Sequence, residues 1–127
     1  MGISIWKSLM TYNEHTGVWY NPEATLDYYQ KEAVTTAIYP KDQGLVYLSL
    51  KLSGEAGEVA EKVGKTIRDN TRIDDKDLVK ELGDVLWYVA NLADFLGYDL
   101  SEVSSTNLAK LKDRKARGVL SGSGDNR

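Results

Sequence analysis

The sequence predicts an all-α fold, an antiparallel four-helix bundle completed by oligomerisation. Apolar residues recur at three- and four-residue intervals from Leu45 to Ile67 and again from Leu78 to Leu96. Only the polar segment Asp69-Asn70-Thr71-Arg72 separates the two runs. Long amphipathic helices joined so closely fold back on each other, because neither apolar stripe can be left in water. No β pattern competes with the helices, and no internal repeat is evident.

Residues 1–20 form an aromatic-rich N-terminal extension holding Ile3, Ile5, Trp6, Leu9, Met10, Tyr12, Val18, Trp19 and Tyr20. That load of large apolar groups predicts packing on the bundle rather than a loose tail, with Trp6 and Trp19 in core or interface contacts and His15 at the surface. The helical domain spans residues 21–117. Asn21-Pro22 signals the start of a first helix carrying Leu26, Tyr29, Ala33, Ala37 and Ile38, which ends before Tyr39-Pro40 because proline has no backbone donor and disfavours a helical residue before it. Asp42 is expected to cap the second helix, through Leu48, Leu52, Ala56, Val59 and Val63. Asp74 or Asp75 caps the third, which carries Leu82, Val85, Leu86, Val89 and Leu92 and stops at Gly97. Asp99 with Glu102 fits a capping box for the fourth, through Val103, Leu108 and Leu111. Residues 118–127 form a Gly-rich, irregular tail. The short first and fourth helices leave apolar surface for a further copy to cover.

Composition narrows the chemistry. The chain of 127 residues has 16 Lys plus Arg against 19 Asp plus Glu, a net charge of −3, so no global basic field exists to hold nucleic acid. The absence of cysteine removes disulfides and thiolate metal sites, and a single histidine removes a His cluster, so any metal would be held by oxygen. No apolar stretch approaches ~18 residues and no signal-peptide pattern opens the chain, which predicts a cytoplasmic protein with no membrane partner.

Glu55 and Glu58 stand three apart on the second helix, and Glu81 and Asp84 repeat that spacing on the third. At about 100° per residue, each pair falls to one side of its apolar stripe, so facing stripes bring all four carboxylates to the margin of the interface. Gathered there, they repel one another unless a cation compensates. Mg²⁺, with Mn²⁺ as a substitute, suits an all-oxygen shell and bridges carboxylates to phosphates, which implies a phosphate substrate. The same acids also fit solvent-facing pairs such as Lys51/Glu55, Glu58/Lys62, Glu61/Lys65 and Lys80/Asp84. Gly57 and Gly83 sit inside the two acid pairs, where glycine disfavours a helix by roughly 1 kcal/mol, so close helix approach or ligand access would account for them, as would a local irregularity without function. Tyr88 and Asn91 follow on the same side of the third helix as candidate contacts for a base or sugar, though Tyr88 also fits a boundary core position; Trp87 faces outward as an oligomer contact. On the fourth helix Asn107, Lys110 and Arg114 could donate to phosphates, while a cap or polar interface explains Asn107 equally.

The stretches S-G-E-A-G-E-V-A-E-K (Ser53 to Lys62) and K-E-L-G-D-V-L-W-Y-V (Lys80 to Val89) resemble the MazG-like nucleoside triphosphate pyrophosphohydrolases, over about residues 25 to 115. The resemblance maps an ExxE and ExxD motif onto Glu55, Glu58, Glu81 and Asp84 as Mg²⁺ ligands. It also likens Asn107 to Gly118 to a basic segment associated with substrate phosphates. It implies hydrolysis of a nucleoside or deoxynucleoside triphosphate between the α and β phosphates, in a homodimer or homotetramer. Glu58 is then the residue that accepts the water proton, although spacing alone does not separate base from ligand. A phosphoribosyl-ATP pyrophosphohydrolase, a noncatalytic nucleotide-binding module and a helical oligomerisation module are the alternatives. Base and sugar preference are not legible.

Overall fold

Local signals set most helix ends. The computed structural model describes residues 9–127, so Ile3, Ile5 and Trp6 lie outside the described residues. α1 covers Leu26–Val34, α2 Gly44–Asp69, α3 Asp75–Phe95 and α4 Leu100–Arg117. The Thr25 hydroxyl accepts the Tyr28 N–H at 3.0 Å to open α1. Asp74 accepts the Lys76 N–H at 3.0 Å to open α3. Asn70 closes α2 in the left-handed region at φ 51°, and Gly97 follows α3 at φ 82°.

Three expectations are corrected. α1 stops at Val34 rather than near Ile38, because the Thr35 and Thr36 hydroxyls donate to the Glu32 and Ala33 carbonyls and turn the chain; Ile38 is left 97% exposed. Asp42 does not cap α2: it lies in a 3₁₀ turn, Lys41–Gln43, and Gln43 holds the cap position without a side-chain bond. Asp99 makes no side-chain cap for α4 either, so the capping box with Glu102 is absent. The orphan N–H groups of α4 go instead to α1. Gln30 Oε1 accepts the Leu100 N–H at 2.9 Å, and Asp27 accepts the Ser101 N–H at 2.9 Å and its hydroxyl at 2.7 Å.

A β-hairpin, absent from the helical reading, precedes the bundle. β1, Thr11–Asn13, pairs antiparallel with β2, Val18–Tyr20, placing Tyr12 opposite Trp19 with ring centroids 5.1 Å apart. Asn13 Oδ1 accepts the His15 and Thr16 N–H groups at 3.0 and 3.2 Å, and Gly17 completes the turn at φ 71°. Strands of three residues are too short to show a period-2 signal.

The bundle is organised around the antiparallel α2–α3 pair, with α1 against α3 and α4 against α1 and α3. Gly44 permits the closest approach: a Cβ there would lie 2.3 Å from Phe95 Cε2, so the start of α2 seats on the end of α3 only without a side chain. Along α2, Gly44 and Tyr47 at the start and then Leu48, Leu52, Glu55, Val59, Lys62 and Thr66 are buried or half-buried, a seam that rotates away from the apolar stripe. Leu45 and Ile67 of that stripe remain more than half exposed in consequence, as do Leu50 on α2 and Val79 and Leu82 on α3 for their own part. Among the described residues the buried apolar core is small: Ala33, Tyr39, Leu48, Ala90, Ala93 and Leu100.

Candidate metal and phosphate site

The rotated seam decides where the acids sit. Glu55 on α2 and Glu81 on α3 fall on the lines of contact and are half-buried, deeper than the helical-wheel margin; Asp84, one turn on from Glu81, is exposed. Glu55, Glu81 and Asp84 each offer a carboxylate oxygen, and these oxygens lie within 4.8 Å of one another. Glu58 stands outside that trio. It is exposed and lines a neighbouring cleft of about 390 Å³ together with Lys62, Lys65, Arg72, Asp77 and Glu81. The two motifs therefore converge, with three carboxylates at one point and the fourth beside it.

Like charges at that separation repel strongly in a half-buried groove, and the protein supplies one cation across it. Lys62 Nζ lies 3.4 Å from Glu81 Oε1, an α2-to-α3 contact in place of the expected pair with Glu58. Glu61 and Lys65 do form the expected pair, at 3.4 Å on the outer face. The donor set of the trio is all carboxylate oxygen, part-shielded from water and carrying more negative charge than Lys62 balances. It fits a hard divalent cation such as Mg²⁺ or Mn²⁺.

Tyrosines from α1 and α3 face the acids. Burial, then the negative charge of Asp84, holds the Tyr29 phenol on α1 above its ordinary pKa. Burial, then the neighbouring Tyr47 hydroxyl and the charges of Glu55 and Asp84, does the same for Tyr88 on α3. Tyr88 thus stands beside the carboxylates, together with Tyr47, which the sequence did not single out. Tyr47 stacks on Tyr39 with centroids 6.0 Å apart. Asn91 lies deeper, 1% exposed; its Nδ2 donates to the Trp87 carbonyl at 3.0 Å and its Oδ1 is buried without a partner. Trp87, expected to face outward, is half-buried against the turn that follows α1 and donates from Nε1 to Thr36 Oγ1 at 2.8 Å.

The basic segment of α4 stands apart. Arg114 is buried and donates to the Gly124 and Asp125 carbonyls and to the Asp125 carboxylate, the last at 3.2 Å, while Lys110 reaches the same carboxylate at 3.0 Å. Among the described residues no ion pair or hydrogen bond joins Lys110 or Arg114 to the acid trio, and Asn107 is exposed on α4. Residues 118–127 are not a free linker: Arg114 holds the Gly124 and Asp125 carbonyls against α4, and within the tail Arg127 donates to the Val119 and Gly124 carbonyls at 3.1 and 2.7 Å. A second cleft, of about 820 Å³, adjoins the first through Arg72, Ile73 and Asp74 and is walled by the hairpin tip from His15 to Val18. Gly17 and the flanking aromatics are the signals of this wall that the sequence carries.

Residues 43–119, spanning α2, α3 and α4, match the family model described as the MazG nucleotide pyrophosphohydrolase domain. The chain is also 51% identical over 112 residues to the Gene 37 protein of Mycobacterium phage L5, an alignment covering 80% of this chain and 98% of that protein. No solved structure matches.

Proposed function

The chain belongs to the MazG nucleotide pyrophosphohydrolase family, and from that premise we propose that it hydrolyses a nucleoside or deoxynucleoside triphosphate between the α and β phosphates, releasing the monophosphate and pyrophosphate. The observation that carries this reading is the meeting of Glu55, Glu81 and Asp84 within 4.8 Å on the α2–α3 seam, inside the matched region. These residues would hold Mg²⁺, or Mn²⁺ in its place, with Glu58 at the edge of the shell. When bound, the ion neutralises charge on the phosphate chain and on the leaving pyrophosphate.

Glu58 faces open cleft rather than the trio, which suits a group that takes the proton of the attacking water as its oxygen bonds to the α phosphorus and the bond to the bridging oxygen breaks. Tyr88, with Tyr29 and Tyr47 nearby, offers aromatic faces and hydroxyls to the nucleoside. Asn91 is buried behind them, and its role in this reading is to hold the Tyr88 segment of α3 rather than to touch the base. Lys110 and Arg114 reach phosphates only when Asp125 releases them. Nucleoside triphosphates are cytoplasmic solutes, so this reading places the protein there. The exposed Leu45, Leu50, Ile67, Val79 and Leu82 support a homodimer or homotetramer that covers them.

A product assay across the common triphosphates, with and without Mg²⁺, tests the reading. Monophosphate plus pyrophosphate is expected, with turnover lowered by about 100-fold or more in Glu58→Gln. Stepwise release of orthophosphate, or no Mg²⁺-dependent turnover on any triphosphate, counts against it.

A further inference from the structure

Lys62 is the one cation within ion-pair distance of the acid trio among the described residues, and its geometry is that of a temporary partner. Its Nζ stands 3.4 Å from Glu81 Oε1, well beyond the ~2.8 Å of a strong ammonium–carboxylate bond. About a third of its side chain is exposed, against 17% for Glu81, so the ammonium has room to leave on the cleft side. That side is the 390 Å³ cleft, where Lys65, itself 3.4 Å from Glu61, and Arg72 line the wall together with the acids Glu58, Asp74 and Asp77. Arg72 makes no ion pair among the described residues and borders the second cleft as well.

We propose that Lys62 exchanges partners: it holds Glu81 while the carboxylates lack a metal, and when a divalent cation takes Glu81 it turns into the cleft to bind the terminal phosphates of a polyphosphate ligand beside Lys65 and Arg72. The proposal rests on the metal reading of the trio and adds to it a subsite and a coupling. Metal and ammonium compete for one carboxylate oxygen, so the anion-binding cation is released only when the metal has reversed the local potential. A bare site then rejects polyphosphate twice over, through acids whose charge Lys62 balances only in part and through a lysine already engaged.

The two ligands should therefore respond to Lys62→Met in opposite directions. By calorimetry on the full chain without nucleotide, Mn²⁺ should bind Lys62→Met about threefold more tightly than wild type, because its competitor is gone. With Mn²⁺ saturating, inorganic pyrophosphate should bind the variant about tenfold more weakly, and Lys62→Arg should restore most of that loss. A lysine that merely supported the fold would not move the two constants apart. Weaker Mn²⁺ binding in Lys62→Met, or pyrophosphate binding equal to wild type, overturns the exchange. Wild-type protein that takes up no Mn²⁺ is a separate failure, which removes the metal reading itself and the exchange with it. Thermal melts of both variants identify a folding defect, and Lys62→Arg alone then decides: pyrophosphate binding near wild type supports the exchange, and its loss in a folded Lys62→Arg opposes it.

Discussion

The molecule has two polar joints between helices, and they are built in opposite ways. Where α4 meets α1, Gln30 is buried and fully engaged: Nε2 donates to the Ala90 and Tyr98 carbonyls at 3.1 and 3.0 Å while Oε1 accepts from Leu100. Where α2 meets α3, the carboxylates of Glu55, Glu81 and Asp84 crowd together with one long contact to Lys62. The first joint pairs every polar atom of a buried side chain, whereas the second gathers three half-buried or exposed carboxylates against a single cation. The first joint serves the fold, and in the function proposed above the second takes its compensating charge from a bound cation.

Removing a group from each joint should separate those roles. Glu81→Gln is expected to lower Mg²⁺-dependent pyrophosphate release by about 100-fold or more, because it removes a ligand shared between trio and cleft. Its unfolding free energy in the absence of metal should hold or rise, since like-charge repulsion falls with it. A large loss of stability would make the acid joint structural and break the comparison. Gln30→Leu should do the reverse: it strands the Leu100 N–H and the Tyr98 carbonyl, and denaturant unfolding should show a loss of about 2 kcal/mol. Mg²⁺ affinity should be unchanged in the fraction that stays folded.

The same contrast explains what was legible in the sequence. α2 and α3 announce themselves because a long helix repeats its signal over many turns, and the acid pairs inherit their register from it. What periodicity could not give was the rotation of the seam: Glu55 and Lys62 lie on it, while Ile67, which the pattern assigns to the core, is 79% exposed. The start of α4 was misread for a different reason. Asp99 and Glu102 are the local signature of a cap, but the groups that cap the helix come from Asp27 and Gln30, about seventy residues away in sequence. Lys110 and Arg114 look like an anion clamp by composition, yet their carboxylate comes from the tail. The hairpin carried its own weak signal, Asn13 and Gly17 bracketing a loop between Tyr12 and Trp19, which a search for helical spacing passes over.

The tail contact gives a smaller test, by pH. Hydrogen bonds from Lys110 and then Arg114 hold the Asp125 carboxyl below its ordinary pKa, as hydrogen bonds from Ser101 do for Asp27 at the α1–α4 joint. A depressed folded-state value means the contribution is fully present above the ordinary carboxylate range and is lost as pH falls through the lowered value. An NMR titration should therefore leave the Ser101 amide and the Arg114 side chain unmoved from pH 7 down to that range and shift both only below it. Movement near neutrality would mean that neither carboxylate is held by the partners described.

The smallest effects expected come from Gly57 and Gly83, which lie inside the acid pairs. Close approach of the helices does not account for them, because a Cβ at either position would meet nothing within 4 Å. Helix propensity alone then says that Gly57→Ala and Gly83→Ala should each stabilise the metal-free protein by up to about 1 kcal/mol. That prediction is the reverse of the one for Gln30, and it follows from the same comparison: nothing among the described residues comes within 4 Å of a Cβ at either position. If substrate uses it, the alanine variants should bind Mn²⁺ as wild type does while pyrophosphate release falls several-fold. If stability rises and turnover does not change, the glycines are local irregularities and the ligand lies elsewhere along the seam. Loss of stability in either variant would show that the open side of the acid joint is packed in solution, and the contrast with the α1–α4 joint would fail there.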